Sequence, residues 1–106
     1  MSELGRQTGE PLVVDLTDRI LASWTELWDA LTRPCGLPAW FGRNLNAWWD
    51  TIDCAGISNV IDDHPRLAIR VRATGMFRRD DPEGQAFAEV TNRSVYASLE
   101  VESDSP

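Results

Sequence analysis

The sequence contains no lysine, one histidine, one tyrosine and two cysteines, and its apolar runs are only a few residues long. Each shortage removes a class of function. Without a long apolar segment no helix can span a bilayer, so no membrane role is expected. His64, Cys35 and Cys54 are too few to build a Cys/His zinc site, so no metal and no cofactor are expected. The same shortage argues against a Cys/His nucleophile pair and against an enzyme built on one. The start of the chain, Met1 to Pro11, is polar and lacks the basic-then-apolar layout of a signal peptide. Free thiols and a cytoplasmic location are therefore expected. With lysine absent, every side-chain cation other than histidine is an arginine, a planar fork rather than a point charge.

What is abundant is acid and tryptophan. Seventeen Asp and Glu stand against 10 arginines, giving a net charge of −7, and there are 5 tryptophans. So acidic a chain binds nucleic-acid backbone poorly. It suits a basic partner protein, which its field would steer. A length of 106 residues fits one domain with one core. That domain is expected at 11–102, between flexible tails at 1–10 and 103–106.

Pro11 to Asp15 reads as a strand, and Leu16 to Ala22 as a connection that tucks Ile20 and Leu21 against the core. Ser23 to Glu26 is a capping box. The helix it opens carries Trp24, Leu27, Trp28 and Leu31 on one face, and Pro34 and Gly36 end it. Leu37 to Gly42 is an apolar loop. Asn44 caps a second helix running to about Asp53. Ser58 to Pro65 reads as a polar connection with a turn at Asp62–Asp63. Arg66 to Arg72 alternates and is a strand with its arginines on the exposed side. Thr74 to Pro82 reads as loop, in which Arg78–Arg79 and Asp80–Asp81 compensate one another. Asp81 and Pro82 open a helix over Glu83 to about Asn92. A last strand over Ser94 to Val101 points Val95, Ala97, Leu99 and Val101 inward. Helices alternating with strands favour parallel pairing. The expected class is α/β, a small three-stranded parallel sheet packed against helices.

The second helix is the most informative stretch. At about 100° per residue, Leu45, Trp48, Trp49 and Ile52 share one face, with Trp49 at its border, while Asn46, Asp50 and Asp53 fall together beside it. The loop brings Trp40 and Phe41 to the same end. Aromatic surface beside fixed carboxylates suits a protein interface that engages arginines.

Residues 37–50, LPAWFGRNLNAWWD, resemble the signature of the barstar family, intracellular inhibitors of secreted microbial ribonucleases. That signature is Leu-Pro, two aromatics, Gly, any residue, Asn-Leu, Asp or Asn, Ala, an apolar residue and Trp-Asp. The resemblance implies that the second helix and its loop plug a ribonuclease active site. Asp50 would enter the phosphate pocket, flanked by Trp40 and Trp49. Gly42 would permit the turn, Asn44 would order the loop and cap the helix, and Asn46 would lie on the contact face. Phe87 and Glu89 match, more loosely, a helical phenylalanine and an acidic contact residue. Asn46 stands where the family often has aspartate, Asp53 where it commonly has a small polar residue, and Cys54 where it often has glycine. The connection from Asp50 to the second strand looks longer than in the family. The segment between that strand and Phe87 looks shorter, with a short helix reduced or lost.

The resemblance implies a proteinaceous inhibitor that is not an enzyme and is a monomer when free. Its partner would be a microbial ribonuclease of the guanyl-specific type, or a related toxin. Two other readings fit the residues. One is an immunity protein against a toxin that is not a ribonuclease. The other is a carbohydrate-binding module stacking sugars on Trp40, Trp48 and Trp49, which needs at least two of those rings exposed and coplanar.

Overall fold

The computed structural model describes residues 9–103, so the tails expected at 1–10 and 103–106 lie mostly outside the described residues. In chain order the elements are β1 (Leu12–Asp15), α1 (Trp24–Thr32), α2 (Leu45–Asp53), α3 (Asn59–Asp62), β2 (Leu67–Arg72), α4 (Pro82–Arg93) and β3 (Ala97–Glu102). A 3-10 turn at Gly75–Phe77 stands between β2 and α4. The strands form a three-stranded sheet in the order β1-β2-β3, parallel throughout. The expected α/β class is what the chain adopts.

An order that never reverses has a geometric consequence. Right-handed crossovers, the handedness of nearly all parallel connections, then place every connecting helix on one face of the sheet. Burial follows this division. Val14, Leu67, Ile69, Val71, Ala97 and Leu99 point into the core with Leu27, Trp28, Leu31, Trp48, Ile52 and Phe87 from the helices. The other face is open and polar. There Asp15, Arg70 and Glu100 stand side by side in register. Arg70 reaches Asp15 at 3.6 Å and Glu100 at 3.6 Å, and also pairs with Glu102. Two nearby arginines are tied down too: Arg66, just before β2, donates to the Val95 carbonyl, and Arg72 to that of Thr17.

Helix starts follow the capping residues. Ser23 Oγ accepts from the Glu26 amide, and Glu26 reaches back to the Ala22 amide. Asp81 caps α4 through the Glu83 amide, with Pro82 in the first turn. Four expectations need correction. Ile20 does not tuck in and is 64% exposed; only Leu21 enters the core. Val95 precedes β3 and is 71% exposed, and Val101 is also exposed, at the mouth of an open cleft with Phe77 and Ala88. The polar connection after Gly56 contains α3, because Ser58 caps it through the Ile61 amide and Ile61 is buried. Arg78 and Arg79 form no ion pair with Asp80 or Asp81 among the described residues; the Asp81 carboxylate caps α4 instead. The segment between β2 and α4 contains the 3-10 turn at Gly75–Phe77, with Met76 and Phe77 buried.

Both cysteines are free thiols, Cys35 buried and Cys54 exposed. Burial pushes the Cys35 thiol up to about 12. No helix among the described residues is long and apolar enough to cross a membrane.

Candidate interaction site

The loop before α2 is anchored from beneath. Phe41 is buried and meets Trp28 edge-on, with centroids 5.4 Å apart, and its amide donates to the Pro38 carbonyl at 3.0 Å. Holding Phe41 inward turns its neighbour Trp40 outward, where it is 70% exposed. Arg43 then takes a left-handed backbone, φ 53°. That costs a non-glycine residue about 1 kcal/mol or more. Its guanidinium pairs with Asp29 of α1, which ties the far side of the loop to the helix layer. Asn44 completes the junction with both ends of one side chain. Its Oδ1 accepts from the Ala47 amide at 2.8 Å, capping α2, and its Nδ2 donates to the Gly42 carbonyl at 3.0 Å, closing the loop.

Two contacts with α4 seat α2. Trp48 is wholly buried, stacks on Phe87 at 5.4 Å, and donates its indole N–H to Thr91 Oγ at 2.9 Å. Ser94 Oγ donates to Asp53 Oδ1 at 3.1 Å. With Trp48, Thr51 and Ile52 facing inward, the opposite side of the helix is set outward. Asn46 and Asp50 lie there, both exposed, and Gly42 and Asn44 are exposed in the loop beside them. Trp49 and Leu45 are half-buried rather than buried. Asp53 is half-buried and committed to Ser94, so it stands at the edge of the group rather than inside it.

Apart from Asp53 at the edge, the residues expected at the contact face thus separate into two sets. Trp40, Gly42, Asn44, Asn46, Trp49 and Asp50 come from one continuous loop–helix unit. Glu89 does not join them by any bond. It lies on the side of α4 away from Phe87 and Thr91, and pairs with Arg93 at 3.4 Å one turn on. Sequence reasoning missed Thr91 and Ser94, which seat α2, and Arg43, which ties the loop. The first two lie 43 and 41 positions from their partners, a distance at which no local pattern operates. A sugar platform needs at least two of Trp40, Trp48 and Trp49 exposed, but Trp48 is buried and Trp49 half-buried, leaving Trp40 alone exposed. Among the described residues no three or more His, Cys, Asp or Glu side chains are grouped to hold a metal ion.

Over residues 12–101 the sequence matches the family model described as Barstar (barnase inhibitor). The chain belongs to the barstar family. The matched range runs from β1 into β3 and includes the loop, α2 and α4. At the level of the family, barstar membership carries a ribonuclease-inhibitor or immunity-type role, and members of the barstar family are inhibitors rather than enzymes. A comparison with curated proteins found no match.

Proposed function

We propose that this barstar-family protein inhibits a secreted microbial ribonuclease of the guanyl-specific type by placing Asp50 in the enzyme's phosphate-binding pocket. The observation that carries this reading is the setting of Asp50. It is an exposed carboxylate on a helix fixed by a cap, a stacked tryptophan and a buried hydrogen bond. Among the described residues no hydrogen bond or ion pair engages that carboxylate. An enzyme that cleaves RNA holds phosphate with cationic donors, and a preset carboxylate competes for them through charge-assisted hydrogen bonds. A preformed surface loses little affinity to ordering on binding. The net charge of −7 adds steering toward a basic cleft.

In this reading Trp40 and Trp49 flank the plug and exclude water, and Asn46 contacts the enzyme beside it. Gly42 and Asn44 hold the junction in shape. Asp53 and Glu89 contribute charge at the edge. The inhibitor acts as a monomer in the cytoplasm of the producing cell.

The experiment is titration of a guanyl-specific microbial ribonuclease with wild-type protein and with Asp50→Ala. Each charge-assisted hydrogen bond lost costs about 1.5–3 kcal/mol, so inhibition should weaken roughly 10- to 100-fold or more. Equal inhibition by the variant overturns the mechanism. No binding to any ribonuclease, with binding to a toxin encoded beside the gene, replaces the target and favours the immunity reading.

A further inference from the structure

Beside the contact loop lies a cavity of about 300 Å³ walled by Trp24, Trp28, Arg43, Asn44 and Leu45. Three of these walls belong to the loop–helix unit that carries Gly42, Asn46 and Asp50, so the cavity is continuous with that surface. Leu45 and Trp49, four residues apart on α2, share one side of the helix. Together they carry apolar surface from the cavity toward Asp50.

Three polar side chains of the wall already have partners. Trp24 donates its indole N–H to Glu83 at 3.1 Å, Arg43 is held by Asp29, and both ends of the Asn44 amide are used in the cap and the loop. What an occupant meets is chiefly indole and leucine surface, edged by the rest of the Arg43 guanidinium. That surface is stiff, because Trp24 stacks on Trp28 at 5.7 Å and meets Phe87 edge-on at 6.4 Å. The volume lies at the small end of ligand pockets, enough for one side chain.

We propose that this cavity receives one apolar or aromatic side chain from the rim of the partner's active site, as a second anchor beside Asp50. The proposal rests on the reading of Asp50 given above. It adds a selection rule: ribonucleases whose rims carry such a side chain are favoured over those whose rims do not. Because the platform is ordered before binding, its contact costs little side-chain entropy.

The test uses the full chain, with the tryptophan indole groups labelled with ¹⁵N, titrated with a guanyl-specific microbial ribonuclease. The Trp24 indole signal is assigned through Trp24→Phe. Its shift on binding, together with that of Trp49, supports the proposal. Leu45→Ala should weaken inhibition roughly tenfold with its thermal midpoint measured alongside, since it removes apolar contact area. Should Trp24→Phe fail to fold and leave the signal unassigned, Leu45→Ala still decides. A Trp24 signal that stays put, and Leu45→Ala inhibiting like wild type, overturn the second anchor. If Asp50→Ala abolishes inhibition in the same experiment, the plug stands and only the anchor falls. A wild type that binds no ribonuclease overturns both.

Discussion

The bond between Trp48 and Thr91 offers a sharp test of how α2 is held. Both residues are completely buried, and the indole N–H has Thr91 Oγ as its acceptor at 2.9 Å. Thr91→Val replaces a hydroxyl by a methyl of similar size, so no cavity opens and the backbone preference of a β-branched residue is kept. What is lost is the acceptor, leaving a buried N–H unsatisfied at a cost of about 1–3 kcal/mol. For a domain of this size that lowers the thermal midpoint by roughly 4–8 °C for each kcal/mol. Thr51→Val is the control. Thr51 is equally buried, but its hydroxyl donates at 2.7 Å to the Ala47 carbonyl, which already accepts the regular helix bond. Its removal orphans nothing, and the expected change is below about 0.5 kcal/mol. Thermal and urea unfolding followed by far-ultraviolet circular dichroism would measure both. Equal losses in the two variants, or a Thr91→Val protein as stable as wild type, would refute the argument that the indole acceptor seats α2.

Other outcomes follow from the same geometry. A Cβ at Gly42 would sit 3.1 Å from Asn44 Nδ2 and 3.3 Å from Ala47 Cβ. Gly42→Val should therefore displace the Asn44 cap and weaken ribonuclease inhibition roughly tenfold at a stability cost of about 1 kcal/mol, the worth of a typical cap, read by titration and by melting. Hydrogen bonds from the Thr17 side chain and amide, with Arg70 nearby, hold the Asp15 carboxyl below its ordinary value of 3.8. A depressed carboxyl stabilises the fold above its unfolded value, and that contribution is lost as pH falls through the folded value. The stability gap between wild type and Thr17→Val should thus be full near neutrality and close below about pH 4, as measured by urea unfolding across pH. Cys54, which is exposed, should react promptly with a thiol reagent. Cys35, buried with its thiol pushed up to about 12, should react only on unfolding, which timed thiol labelling would show.

Much of this was legible because the helix starts are written locally. Ser23, Asn44 and Asp81 each cap the helix that follows, within reach of their own amide partners. The geometry of the loop–helix unit proposed as the contact face is legible for the same reason: it is one contiguous stretch, with the cap, the turn and the carboxylate inside it. The illegible parts depend on distant partners. Helix α3 rests on Ser58, whose hydroxyl also donates to the Cys35 carbonyl 23 positions away. Alternation alone cannot say where a covering layer stops, so Val95 and Val101 look like core residues and are not. Asp53 reads as a free carboxylate until Ser94 is brought against it.

The open side of the sheet carries a division of labour. The charges that hold adjacent strands in register, Asp15, Arg70, Glu100 and Glu102, lie on the face turned away from α2 and its loop. Substitutions that retune which enzyme is met can therefore accumulate on the helical side without drawing on the ion pairs that fix strand pairing. The protein's outward helix residues are free to change while the scaffold's own electrostatics stay untouched.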